Sequence, residues 1–230
     1  SFLIRSLSHA NFHTSLLPML RGSSPIQSEI LQGLDKTGVT KVVMDEGMDT
    51  GPILSQVEIF LDKKENTTTL REKMLECGIP LLLNTNPGFV DGEIENKKQD
   101  EERATYCKMI EKEDGHIDFS KSAEEEERKI RAFNEWPGTY CFWNSKRLKL
   151  LDVEVVSNAF LGDEGKYQIS NIKYQNLDIG KVFLSDKKEL CVNFADGVWI
   201  VNYIQIEGGK ETDSKSFLNG YKNIIGSILK

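Results

Sequence analysis

Between Gly92 and Arg103 the chain reads Gly-Glu-Ile-Glu-Asn-Lys-Lys-Gln-Asp-Glu-Glu-Arg, with Ile94 its one aliphatic side chain. A run so poor in apolar groups cannot offset the conformational entropy lost in ordering it by burying surface of its own. It therefore splits the hydrophobic pattern into two blocks, and 230 residues are enough for two small domains. The expected organisation is a first domain over residues 1–92, a linker over 93–117 and a second domain over 118–230.

In the first block, Phe2, Leu3, Ile4 and Leu7 suit the end of a buried strand or helix. Residues Asn11 to Gly22 form a loop with apolar anchors. Ser24-Pro25-Ile26-Gln27 then opens a helix, with Ser24 as cap, Pro25 in the first turn and Gly33 as the stop. Thr37–Met44 and Pro52–Phe60 read as strands around a turn-rich loop from Asp45 to Gly51. A capping box at Thr69-Leu70-Arg71-Glu72 predicts a helix to about Glu76, broken by Gly78-Ile79-Pro80, with a second helical piece from Leu81 interrupted at Asn86-Pro87-Gly88.

The second block changes character. One helix capped at Ser122 carries Ile130 and Phe133 on its buried side, and Trp136-Pro137-Gly138 ends it. Strand-like runs follow at 139–143, 147–156, 180–184, 189–194 and 198–207, with a turn at Asn144-Ser145 between the first two. Short strands at this spacing suggest a small barrel, closed off by an amphipathic helix from about Asp213 to Tyr221.

Composition narrows the function. The net charge of −7 argues against wholesale coating of nucleic acid but leaves room for a local basic strip. No apolar run approaches the roughly 20 residues of a membrane-spanning helix, so no membrane partner is expected. Cys77, Cys107, Cys141 and Cys191 are far apart, which predicts reduced thiols rather than a disulfide frame or a metal site. The start shows neither Met nor a secretion signal, and upstream material is expected to be missing.

Chemistry concentrates between Asn11 and Gly51. Asn11 and His13 are two apart, so on an extended segment their side chains point the same way. An amide donates hydrogen bonds without changing protonation, and an imidazole moves a proton near neutral pH when a carboxylate orients it. Asp49 and Asp45 compete for the carboxylate role, and either also suits a turn. No Ser or Cys stands out as a nucleophile, which favours direct attack by a substrate amine. The residues by themselves reach as far as acyl transfer or hydrolysis.

Asn11-Phe12-His13-Thr14-Ser15-Leu16-Leu17-Pro18 resembles the Asn-x-His and Ser-Leu-Leu-Pro signature of the 10-formyltetrahydrofolate-dependent formyltransferases. Arg21-Gly22-Ser23-Ser24-Pro25-Ile26-Gln27, Met44–Gly51, Ala104-Thr105-Tyr106, Lys112–Gly115, Ile130–Asn134 with Trp136-Pro137-Gly138, and Phe217–Tyr221 resemble the branch acting on methionyl-tRNA. The resemblance implies an α/β fold: part of a Rossmann-like catalytic domain, lacking early parallel strands, followed by an OB-like β-barrel. It implies catalytic Asn11, His13 and Asp49, and a folate pocket formed by Ser15, Leu16, Leu17, Pro18, Asp45 and Gly47. It also implies 10-formyltetrahydrofolate as formyl donor, methionyl-tRNA as acceptor, no metal, a monomer, and a bacterial cytoplasmic setting or, alternatively, a mitochondrion or plastid. Arg21, Lys146, Arg147, Lys149 and Lys210 are expected to face tRNA, with Lys187, Lys188 and Lys215 as further contributors. Met19, Glu135 and Glu211 depart from the family's usual residues. A sugar-nucleotide N-formyltransferase and an inactive RNA-binding fragment are the competing readings.

Overall fold

A computed structural model describes residues 9–91, 93–157 and 177–230, so the expected element around Phe2–Leu7 lies outside the described residues. The chain divides into two units, Ser1–Ile110 and Glu111–Lys230, and the architecture is mixed α/β.

The first unit is built on three antiparallel strands in the order β1 (Ala10–His13), β3 (Lys36–Val43) and β4 (Ile53–Phe60). Between β1 and β3 lie the short β2 (Arg21–Gly22) and helix α1 (Pro25–Gln32). Gly33 ends α1 in the left-handed conformation, as expected, but Ser24 makes no side-chain capping bond; its backbone N–H donates to Cys107 Sγ at 3.3 Å. β3 is buried on both faces over Thr37–Val42. Gly38 has no room for a side chain, because a Cβ would lie 2.1 Å from the Val57 carbonyl oxygen and 2.5 Å from Leu16 Cδ2.

Helix α2 runs unbroken from Thr67 to Asp91, through Pro80 and Pro87, which corrects the expected break. Gly78 is present for space rather than for a stop: a Cβ there would lie 2.0 Å from the Phe12 ring. Leu70 and Met74 are completely buried, and Thr85 donates to the Leu81 carbonyl and meets Ser55 of β4 at 2.9 Å. Packing against the sheet thus overrides the local cost of proline in a helix. The start of α2 is set by Asn66 and Thr69, which exchange side-chain to backbone bonds at 3.0 and 3.1 Å.

The stretch expected as a linker is engaged rather than free. Lys97 exchanges backbone bonds with Ile53, Gln99 is buried, and β5 (Tyr106–Cys107) pairs in parallel with β2. The boundary between units falls after Ile110.

The second unit begins with the turn of 3-10 helix at Lys112–Gly115 and with α3 (Ala123–Ala132). Its antiparallel sheet has the order β6 (Cys141–Trp143), β7 (Lys146–Ser157), β10 (Gly197–Ile206), β9 (Leu190–Asn193) and β8 (Val182–Leu184). β11 (Thr212–Asp213) adds to β10, and α4 (Ser214–Gly220) follows it. Asn144 and Ser145 both take positive φ, as a tight hairpin turn requires. The sheet curls so that the last residues reach both edge strands: Lys230 exchanges backbone bonds with Phe142, and Gly226 and Ser227 bond to Val182. Its core holds Trp199, Phe194, Phe119, Leu148, Leu150 and Ile204. Trp199 Nε1 donates to the Ala123 carbonyl at 2.9 Å, tying α3 to the sheet.

Candidate functional site

His13 ends β1 and is buried at 5% exposure. Its Nε2 stands 3.2 Å from Asp49 Oδ2, although 36 residues separate them in sequence. Asp49 sits in the loop after β3 with φ of 56°, a left-handed backbone that Asp adopts more readily than most residues. The Gly22 N–H donates to the same Oδ2 at 3.0 Å. Asp45, the other candidate, turns inward on its own loop, accepting from the Gly47 N–H and the Thr50 hydroxyl at 3.1 and 2.7 Å.

The other nitrogen of His13 meets Ser15 Oγ at 3.0 Å. Ser15 sends its one hydroxyl proton to the Met19 carbonyl at 2.6 Å, so it can only accept from the ring. Nδ1 therefore carries hydrogen, and Nε2 faces the Asp49 carboxylate. A second proton, at Nε2, would make an imidazolium–carboxylate pair at 3.2 Å. Burial opposes that charge: it lowers the His13 pKa below 6.5, outweighing the Asp49 charge and the Gly22 backbone, which raise it. Burial and the Asp49 charge thus act on the ring in opposite directions, with burial the larger.

Ser15 is itself held by a polar staple. Thr40 is directly across from His13 in the β1–β3 register and donates to the Ser15 carbonyl at 2.6 Å. It accepts from Leu17 N–H at 3.1 Å and from Gln56 Nε2 at 2.8 Å, while Gln56 also donates to the Leu17 carbonyl at 2.9 Å. Ser15 and Leu17 are consequently buried, whereas Leu16 and Pro18 are half-exposed.

Asn11 is exposed, and its side-chain oxygen accepts the Phe12 N–H at 2.8 Å, which leaves the NH2 as its donor end. Asn11, Asp49, Asp45 and Gly47 share the lining of a cavity of about 50 Å³ with Val42, Val43 and Met44. That is room for a small polar group beside the Asn11 amide and the Asp49 carboxylate. Met44 and Met48 lie exposed on the loop that borders it. His13 is not among the lining residues; Asp49 is its link to the cavity.

Arg21, expected at a tRNA surface, is instead completely buried. Its five N–H groups go to Gln99, Glu101 and Tyr106, so none is left for a phosphate. In the second unit Arg147 and Lys149 line a cavity of about 260 Å³ with Gln205, Ile206, Glu207 and Gly208. The Arg147 guanidinium lies 4.2 Å from the centre of the Tyr140 ring, itself packed against His116 and Phe142. Lys146, Lys187, Lys188, Lys210 and Lys215 are exposed. Among the described residues no group of three His, Cys, Asp or Glu side chains gathers as a metal site, and no helix is long and apolar enough to cross a membrane.

Residues 3–85 match the family model described as formyl transferase, and residues 109–222 match formyl transferase, C-terminal domain. The chain belongs to the formyltransferase family. Its relatives include the methionyl-tRNA formyltransferase of Lachnospira eligens, 39% identical over 95% of this chain and 66% of that protein. The enzyme of the same name from Treponema denticola is 36% identical over 94% of this chain and 64% of that protein. The chain thus spans just under two thirds of the length of these curated relatives. In structure it resembles an N-formyltransferase of Helicobacter canadensis solved with folinic acid and dTDP-3-aminofucose, with a TM-score of 0.61, 22% identity, and coverage of 88% of this chain and 66% of that one. That likeness speaks for the formyltransferase fold.

Within this formyltransferase chain, sequence reasoning missed Gln99 and the part played by Ser15. Gln99 lies among charged residues with nothing local to mark it. Its importance lies in where its amide points.

Proposed function

We propose that this chain carries the reacting residues of an enzyme that moves a formyl group from 10-formyltetrahydrofolate to the α-amine of initiator methionyl-tRNA. The observation that carries the reading is the His13–Asp49 pair at 3.2 Å, with Asp49 and Asn11 on one small cavity. The methionyl-tRNA formyltransferase relatives favour this acceptor over a nucleotide sugar.

The amine nitrogen attacks the formyl carbon, and the carbonyl electron pair moves onto oxygen. The Asn11 amide donates to that oxyanion. Asp49 takes the proton the amine must lose and, with His13 as the partner that holds or returns it, supplies the proton that N10 gains as the C–N10 bond breaks. The products are the N-formylated aminoacyl end and tetrahydrofolate. The cavity holds the one-carbon unit, while the folate ring lies against Leu16, Pro18, Asp45, Gly47 and the exposed Met44 and Met48. Ser15 and Leu17 support this wall from beneath.

In this reading the first unit is the later part of a Rossmann-like domain, and the second is an OB-like barrel offering Lys146, Arg147, Lys149 and Lys210 to tRNA. The enzyme works as a monomer in the compartment where initiator tRNA is charged, the bacterial cytoplasm. The test is a formylation assay with both substrates, on this chain and on a chain of the relatives' full length. Turnover with methionyl-tRNA is expected in the longer chain; turnover with an amino-sugar nucleotide alone would replace the reading with the sugar one, and tRNA binding without turnover in both would leave an RNA-binding fragment.

A further inference from the structure

The Asp49 loop is mostly exposed, from Met44 through Met48, yet its carboxylate must stay at a set distance from a buried ring. The loop's own bonds, through Asp45, fix only its tip. Its base, closed by the Val43 N–H to the Pro52 carbonyl at 2.9 Å, is also held from outside. The two hydrogens of Gln99 Nε2 go to the carbonyls of Asp49 and Gly51, each at 2.7 Å. The Gln99 oxygen accepts from Arg21 Nε at 3.1 Å and Nη2 at 2.8 Å. Arg21 is in turn locked by both Glu101 oxygens and by the Tyr106 hydroxyl. The next residue, Gly22, reaches the Asp49 carboxylate through its N–H.

We infer that Gln99 and Arg21 are positioning residues that hold the Asp49 carboxylate against His13 by gripping the backbone of its loop. A planar guanidinium with all five donors spent cannot swing, so the amide it aims cannot flip. That rigidity passes to the Asp49 backbone, while β2 holds the carboxylate end. Two residues adjacent in β2 thus act on the backbone and the carboxylate of one residue: Arg21 through Gln99, Gly22 directly. The inference rests on reading His13 and Asp49 as the reacting pair, but its test needs no turnover.

The test follows the His13 ring by nitrogen NMR in this chain, which contains three histidines, His9, His13 and His116. The other charged or titratable groups on the elements around the pair are Asp45 and Glu46 on the loop, Lys36 on β3, paired with Glu58 of β4, Lys41 on β3, whose ammonium turns to Asn86, and Tyr106 and Cys107 on β5. Gln99→Met keeps the length and removes every bond of the grip. The expected result is a His13 proton affinity lower by a few-fold to about tenfold, since an opposite charge within reach raises it by that order or more. In an Asp49→Asn background, Gln99→Met should cause no further change. An unchanged His13 titration in a folded Gln99→Met chain, or an equal shift with Asp49 already neutralised, would overturn the inference. Arg21→Gln, which leaves Gln99 in place but unheld, is read in the same way if Gln99→Met fails to fold. Formyl transfer by a different mechanism would leave these titrations intact, so the two ideas fail separately.

Discussion

The two units solve the problem of a stable interior in opposite ways. The second is held mainly by contiguous apolar packing: Trp199 against Phe194 with ring centres 4.5 Å apart, Phe194 against Phe119 at 5.1 Å, and aliphatic side chains from β6 to β10 around them. The first threads polar groups through its interior: His13, Ser15, Arg21, Glu29, Thr37, Thr40, Lys41 and Gln99 are all buried. Apolar packing is non-directional and tolerates small shifts; hydrogen bonds fix direction and lose value quickly when bent. The unit that must aim side chains at one another uses the directional kind.

The largest effect expected from breaking this contrast is on chemistry. Asp49→Ala in the longer chain should lower formyl transfer by roughly 10²–10⁴-fold, the usual range for a proton-transfer group, with circular dichroism unchanged. Full activity in that variant would remove Asp49 from the mechanism. On stability, Trp199→Ala should cost about 3–5 kcal/mol in urea unfolding, since it empties the centre of the second core and frees the Ala123 carbonyl. Thr40→Val should cost about 1–3 kcal/mol, because it leaves the Ser15 carbonyl and the Leu17 N–H without a partner while barely changing volume. If the Thr40 loss proved as small as that of an exposed site, the staple would not hold the first unit.

A pH series sharpens the same contrast. Glu29 is fully buried in α1, bonded by Thr37, and burial pushes its pKa up from 4.5 to about 9. Its folded pKa lies above the unfolded one, so its stabilising share is complete below about pH 4.5 and is lost as pH rises toward 9. Glu29→Gln should therefore flatten the decline of stability between those limits. His13, with its pKa lowered, acts with the other sign: stability present above about pH 6.5 falls as pH drops through the folded value. The smallest expected effect is Asp196→Ala, about 1 kcal/mol, from loss of the bond at 2.9 Å to the Ala123 N–H at the start of α3. An Asp196 variant as costly as Thr40→Val would mean that the second unit also leans on directional bonds.

Much of the scaffold was legible in the chain itself. Alternation and β-branched residues marked β3 and β4, Gly33 marked the end of α1, and Asn144-Ser145 marked the hairpin between β6 and β7. These features depend on contacts within a few residues, which local sequence encodes directly. Asn11 and His13 do fall two apart on one strand, β1, but Asn11 is exposed on the cavity and His13 is buried off its lining. Other features were decided only when distant segments met. Ser122 suits a cap, yet it makes no side-chain capping bond and the start of α3 is bonded by Asp196. Pro80 suits a break, yet α2 continues because it is packed on the sheet. Arg21 suits a phosphate, yet Gln99, Glu101 and Tyr106 consume it. Asp45 and Asp49 were equal candidates in sequence, and the path of the loop gave His13 to Asp49. Local propensity chooses a conformation; only the assembled chain sets the partner for a donor or a charge, because that partner comes from a part of the sequence that local preference cannot sense.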